Sequence, residues 1–193
     1  MEDFPQHLLE GYRAFATQRL PTEQSRYREL SERGQSPEVM VIGCCDSRVS
    51  PEVIFDAGPG ELFVVRNVAN LVPVYQPDSG THGVSAALEY AVSVLKVKHI
   101  VVLGHAQCGG IRAFIDKIQP LSPGDFIGKW MQMFIKPGEV VEKRKHETMQ
   151  DFTIRIEKAA VFRSLENLMT FPFVRERVQN GAMNLHGAYF GVA

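Results

Sequence analysis

The sequence predicts an α/β fold: a mainly parallel central β-sheet flanked by helices, with helices ahead of it and a strand at its C-terminal edge. Three observations carry this. The short apolar runs "EVMVIG", "GELFVVRN" and "HIVVLGH" lack the period-2 polarity of half-exposed strands, so they belong to a sheet buried on both faces. Segments with helical periodicity alternate with them, the pattern of parallel strands joined by crossovers. The length of 193 residues, 45% hydrophobic and 22% charged, supports one domain with a proper core and not two.

Taken in order, "DFPQHLLEGYRAFATQRL" carries apolar residues at helical spacing, and "TEQSRYRELSERG" reads as a polar helix stopped by Gly34. The first strand follows at 39–43 and runs into a pair of cysteines. "GPGE" at 58–61 is a turn before the second strand. "THGVSAALEYAVSVLKV" is a long helical pattern leading to the third strand, after which "CGGIRAFIDKI" opens another helix. The stretch 121–180 is mostly helical by pattern: "GDFIGKWMQMF", then "GEVVEKRKHETMQDFTIRIEKAAVFRSLENLMTF", then "PFVRERVQNG". The charge run "EKRKHE" within it reads as a solvated helical face. The tail "AMNLHGAYFGVA" alternates weakly and is expected to be the edge strand.

Bulk properties exclude several classes. A net charge of -1 argues against a nucleic-acid partner. Three cysteines make no closed disulfide framework. The opening "MEDFPQHLLEGYRAF" lacks the basic start and apolar run of a signal peptide, and no apolar stretch approaches the roughly 18 residues of a membrane span. A cytoplasmic protein with reduced thiols and no membrane partner is expected. "LGHAQCGG" follows a strand as a phosphate loop would, but it has neither G-x-G-x-x-G nor the P-loop lysine.

Chemistry concentrates where two strands end, the usual ligand position in open α/β sheets. "VIGCCDSR" supplies Cys44, Cys45, Asp46 and Arg48; "VVLGHAQCGG" supplies His105 and Cys108. Thiolates and imidazole suit tetrahedral Zn²⁺, and three protein ligands leave a fourth position for chemistry. Strand alternation, if it persists to Arg48, turns Cys44, Asp46 and Arg48 to one side and Cys45 and Ser47 to the other, so Cys44 is the cysteine expected at the metal. Asp46 and Arg48 alone could be a structural ion pair. His7, His82, His99, His146 and His186 lack ligand-like neighbours and read as surface or core residues.

These two segments resemble the signatures of the β-class carbonic anhydrases: Cys-x-Asp-x-Arg, here Cys44-Cys45-Asp46-Ser47-Arg48, and Gly-His-x-x-Cys-Gly, here "GHAQCGG". The similarity runs from about Gly34 to near the C-terminus. It implies the β-carbonic anhydrase fold as a single domain over 1–193, whose helical arm at 1–34 packs on a partner subunit. It implies one Zn²⁺ per chain, held by Cys44, His105 and Cys108, and reversible hydration of carbon dioxide to bicarbonate and a proton through zinc-bound hydroxide. Asp46 would then orient the nucleophile and Arg48 would clamp Asp46.

By the same resemblance Cys45 takes a slot for a small packing residue. Gln35 reaches a neighbouring subunit's site, and Phe63, Val68, Tyr90 and Gly109 line the carbon dioxide pocket, which implies a homodimer or dimer of dimers. Tyr90 also sits in a helical apolar stripe, where a core role competes. Members with an allosteric bicarbonate site carry Trp at the position of Val41, so the chain resembles the ungated, plant-like subgroup. Arg66 then reads as a structural or interface residue. Two rivals stand beside this: a carbonyl sulfide or carbon disulfide hydrolase on the same fold, and a non-catalytic zinc module whose fourth position Cys45 or Asp46 closes.

Overall fold

The computed structural model describes residues 4–78, 80–116, 126–135 and 140–192. Helix α1 (Gln6–Ala14) runs through a π-helical turn, Phe15–Arg19, into α2 (Leu20–Arg33), so the two expected helices are one rod. Gly34 ends it at φ 78°, a left-handed cap natural to glycine. No residue of the rod is buried, although Phe4, Leu8 and Tyr12 present apolar surface at its start.

Four strands follow: β1 (Val39–Cys44), β2 (Leu62–Asn67), β3 (His99–His105) and β4 (Asn184–Phe190). They form one sheet in the order β2-β1-β3-β4, every neighbouring pair parallel. The apolar runs and the weakly alternating tail thus take their expected places, with β4 at the edge. Parallel pairing demands crossovers. The links are α3 (Pro51–Ile54), α4 (Gly83–Glu89) with a π-helical turn at Tyr90–Val94, and the helices between β3 and β4. These last are α5 (Gly109–Ile115), α6 (Phe126–Gln132), α7 (Met149–Leu168) and α8 (Pro172–Gln179).

Alternation sorts the sheet's faces. Met40, Ile42, Ile100 and Val102 join Leu88, Ala91, Val92, Val161, Leu168 and Val174 in a core built with α4, α7 and α8. On the opposite face Val41, Val49 and Leu103 are buried, but Val39, Val64, Val101 and Phe190 are only partly covered. The expectation of a sheet covered on both faces therefore holds for one face within this chain.

The charge run at 142–147 is a correction: it lies in an irregular loop, not on a helix. The Thr148 hydroxyl caps α7 by accepting from the Asp151 N–H at 3.0 Å, which starts the helix at Met149. Glu147 is held outside it by Arg155, whose Nε donates at 2.7 Å. The expected helix over "GDFIGKWMQMF" is present from Phe126; its first two residues, with the rest of 121–125, lie outside the described residues. His99 and His186, predicted as bystanders, meet across β3 and β4 with ring nitrogens 3.1 Å apart.

Helix α7 lies unusually close to the sheet. A Cβ on Gly104 would stand 2.5 Å from Val161 Cγ2, and one on Gly187 would stand 2.9 Å from Val161 Cγ1. Val161 is therefore seated in a notch made by two glycines on adjacent strands. Gly104→Ala is expected to lower stability by about 1–3 kcal/mol through overpacking, and Val161→Ala in the same chain should recover part of that loss. Urea unfolding checks both, and an unchanged midpoint for Gly104→Ala would contradict the close seat.

Candidate metal centre

Cys44 is the last residue of β1, His105 the last of β3, and Cys108 the N-cap of α5. Because β1 and β3 are adjacent and in register (Gly43 beside Leu103), their carboxyl ends present these side chains together. Among the described residues they form the one group of three potential ligands, all buried, with donor atoms within 4.8 Å of one another. The two-residue turn between His105 and Cys108 is possible because Gln107 adopts φ 57°, a left-handed conformation.

The donor set fits a metal. His105 Nδ1 lies 2.9 Å from the Ala106 carbonyl, which selects the tautomer that donates there and leaves Nε2 its lone pair. That Nε2 is buried without a hydrogen-bond partner, and such orphans are rare unless a ligand completes them. All three cysteines are free thiols. The neighbouring Cys108 thiol pulls the Cys44 pKa down against burial, helped by the His105 ring and by main-chain N–H groups of Asp46 and Ala69. The same contact, with burial, holds Cys108 up. Two buried sulfurs this close resist carrying two negative charges, and a cation would relieve that opposition.

The strand does not stay extended to Arg48. It ends at Cys44, and the chain turns at Ser47 and Arg48. Cys44 is nonetheless buried beside His105 and Cys108 while Cys45 is exposed, although the predicted alternation stops early. Exposure also corrects the reading of Cys45 as a packing residue. The turn brings Arg48 back onto Asp46: its N–H and Nε donate to Oδ1 at 3.0 and 2.9 Å, and a terminal nitrogen donates to Oδ2 at 2.7 Å. The Arg48 side chain holds the Asp46 carboxyl far below the usual carboxylate range.

Sequence reasoning gave Arg66 a structural or interface role and left the other contacts of the surround unassigned. Arg66, a charge within the β2 run, donates to the carbonyls of Cys44 and Asp46 at 2.8 and 2.7 Å, which bears out its structural role and ties the metal loop to β2. Arg48 also donates to the Gln107 carbonyl at 3.0 Å. Ala69, at φ 62°, turns the chain so that its N–H meets the Cys44 sulfur. Trp130 Nε1 donates to the Val68 carbonyl at 2.7 Å. A charge inside an apolar strand was the one available signal, at Arg66; left-handed turns at Ala69 and Gln107 leave no mark in residue type.

The five expected pocket residues divide between the two ends of the sheet. Gly109 adjoins Cys108, and a Cβ added to it would meet nothing within 4 Å. Val68 lies against Gly110, beside the start of α5. Phe63 pairs with Met40, whereas Cys44 pairs with Asn67. Four residue steps therefore separate Phe63 from the rung of Cys44, roughly 13 Å at the usual rise. Tyr90 packs on Phe63 with ring centroids 5.9 Å apart and is 45% exposed, and Gln35 is exposed ahead of β1. The structure does not bring Gln35, Phe63 or Tyr90 to this chain's own Cys44, His105 and Cys108.

Comparison with known proteins gives a consistent match. The family model described as Carbonic anhydrase matches residues 39–193. Two Arabidopsis thaliana proteins, Beta carbonic anhydrase 5, chloroplastic, and Beta carbonic anhydrase 3, are each 36% identical over 98% and 97% of the chain. The chain spans 61% and 73% of their lengths, respectively. The solved structure of the β-carbonic anhydrase CcaA superposes with a TM-score of 0.86 at 28% identity, covering 97% of this chain and 83% of that one. An apo carbon disulfide hydrolase, 19% identical with a TM-score of 0.54 over 90% of this chain and 85% of its own, shares the fold alone.

If the ligand set is Cys44, His105 and Cys108, Cys44→Ser should lose most of its zinc, while Cys45→Ser should keep about one zinc per chain. Metal analysis of both variants after dialysis decides it; equal zinc contents would reverse the assignment of the paired cysteines.

Proposed function

Because the chain belongs to the β-carbonic anhydrase family, we propose that it catalyses the reversible hydration of carbon dioxide to bicarbonate and a proton, with Zn²⁺ held by Cys44, His105 and Cys108. The observation that carries this reading is the buried Cys–His–Cys triangle, with an orphaned imidazole nitrogen, beside a carboxylate fixed by Arg48. When bound there, Zn²⁺ acts as a Lewis acid that makes a water acidic enough to supply a nucleophile near neutral pH.

The protein's own part is orientation. Asp46, kept ionised and locked by a two-pronged guanidinium, can only accept a hydrogen bond from the attacking group, so it dictates which lone pair faces the carbon. Held by Arg48, it cannot swing across to become a fourth metal ligand. That favours an enzyme over a closed structural zinc module. Val68 and Gly109 supply the near wall of a site for a small nonpolar substrate.

The far wall comes from a second copy of the chain. Phe63 and Tyr90 pack together near the amino end of the sheet, Gln35 precedes β1 at that same end, and the rod at 6–33 buries none of its residues here. A homodimer, or a dimer of dimers, in which the arm at 1–34 packs on its partner would cover that rod and carry these three residues to the partner's metal. The free thiols suit a reducing compartment such as the cytoplasm. No helix of the described residues is long and apolar enough to cross a membrane.

Stopped-flow hydration of carbon dioxide is the test. Two thiolates temper the metal's acidity more than imidazoles would, so the rate should climb between about pH 6 and about pH 9; a flat profile would refute this. Asp46→Asn should lose about a hundredfold or more in rate with its zinc retained; near-normal turnover would remove Asp46 from the mechanism. Parallel assays with carbonyl sulfide and carbon disulfide should be slower, and faster turnover of either would replace the substrate. Chains lacking residues 1–33 should sediment as monomers; an undiminished oligomer would exclude the arm.

A further inference from the structure

We propose that Glu157 is a positioning residue for the metal centre: its buried carboxylate clamps the peptide group that carries Cys108 and so fixes where the Cys108 sulfur stands. The inference rests on the reading of Cys44, His105 and Cys108 as zinc ligands.

Glu157 projects from the middle of α7 with 2% of its surface exposed. Glutamates are almost never so deeply buried unless paired, and no Lys or Arg pairs with this one among the described residues. Both of its oxygens are instead engaged by neutral donors. Oε1 accepts the Cys108 main-chain N–H at 3.0 Å, and Oε2 accepts the Tyr189 hydroxyl at 2.6 Å. Burial and the Glu157 contact raise the Tyr189 pKa, which keeps the hydroxyl a donor. A well-packed apolar side chain would serve stability as well or better at such a place. What an apolar side chain lacks is an acceptor for the Cys108 N–H.

That N–H matters because of what lies across the same peptide bond. The group joining Gln107 to Cys108 is a rigid plane. Its oxygen receives the Arg48 guanidinium at 3.0 Å on one side, and its nitrogen donates to Glu157 on the other. Held at both edges, the plane cannot rotate, and the Cα of Cys108 is fixed with it. The clamp is continuous with the catalytic pair, running Asp46, Arg48, the 107–108 peptide, Glu157 and Tyr189. Hydrogen bonds in such a series polarise one another.

The placement of α7 delivers Glu157 to this point. Val161 is seated in the notch of Gly104 and Gly187, and Glu157 lies one helical turn earlier on the same face. Tyr189 stands two residues beyond Gly187 on β4, hence on the same side of the sheet. Lys158 closes over its ring at 5.3 Å.

The test measures zinc affinity of the full-length chain by competition with a chromophoric chelator, together with the absorption of the cobalt-substituted protein, whose sulfur-to-metal band reports the geometry at the thiolates. Glu157→Leu, folded by circular dichroism, should bind zinc about 10–100-fold more weakly with an altered cobalt spectrum. Glu157→Gln, which keeps an oxygen for Cys108 and an amide for Tyr189, should restore affinity to within about threefold of wild type, well short of the 10–100-fold loss expected without an outer-shell partner. A folded Glu157→Leu with wild-type affinity and spectrum overturns the clamp, as does an equal loss in the Gln and Leu variants. Should Glu157→Leu not fold, Tyr189→Phe decides: weaker binding with an altered spectrum supports the proposal, and wild-type values overturn it. A wild-type chain that binds no zinc at all defeats the ligand reading itself, an outcome distinct from these.

Discussion

The parallel pairing of β1 with β3 is the constraint on which the site depends. Parallel neighbours in register end at the same level, so a cysteine closing one strand and a histidine closing the next must meet. The rest is a short turn. His105 and Cys108 are only three residues apart, yet a regular strand would send them onward and away; the left-handed Gln107 bends the chain back so that the second sulfur returns to the first. The Cys44–His105–Cys108 triangle is therefore set by main-chain geometry, with donor atoms lying within 4.8 Å of one another. Sulfur, imidazole and carboxylate come from a stretch of β1 and a stretch of β3 that local structure alone could not bring together.

Loops at strand ends are soft, and this one is braced from three directions. Arg66 on β2 grips the carbonyls of Cys44 and Asp46, Arg48 grips Asp46 and the Gln107 carbonyl, and α7 approaches from behind. The inward face of α7 is polar where it meets loops and apolar where it meets strands. Ser164 receives the Val72 N–H and donates to the Asn70 carbonyl, and Asn167 donates to the Val72 carbonyl, so the same helix anchors the loop after β2 that delivers the Ala69 N–H to Cys44. Small residues on β3 and β4 make this possible, since any side chain larger than glycine at 104 or 187 would hold the helix off. Close packing here is a means of placing polar groups, with stability as its by-product.

How much of this is legible in the sequence depends on whether a feature is written in residue type or in backbone conformation. The four strands are legible because a short apolar run bounded by turn residues has little to be except a buried strand, and two of them carry Cys, Asp and His at their carboxyl ends. The burial of Cys44 and exposure of Cys45 are legible through alternation, although the strand ends before the alternation was expected to stop. The loop at 142–147 is not: its charges carry helical spacing, and only the Thr148 cap and the Arg155–Glu147 pair show that the helix begins later. Glu157 was visible as an acid in an apolar stripe with Phe152, Ile156 and Ala160, but a stripe does not say what the acid touches. Ala69 and Gln107, the left-handed residues that shape the site, are ordinary residue types and leave no trace.

The two ends of the sheet pose a last physical question, because the proposed metal ligands lie at one end and three of the expected pocket residues at the other. Strand direction fixes this: in an all-parallel sheet every carboxyl end lies on one side, so Cys44 and His105 share an edge that Leu62 and Phe63 cannot reach. Meanwhile one sheet face leaves Val39, Val64, Val101 and Phe190 half-covered, and a rod of helix stands with no residue buried. Each is costly in water taken alone. The proposed two-fold association would answer them together, because an isologous contact can place one copy's amino edge against the other's carboxyl edge twice over. On the proposed function, apolar surface that is a liability in one chain would become the wall of a dry pocket in two, the setting that a neutral linear substrate and a locked Asp46 carboxylate would both require.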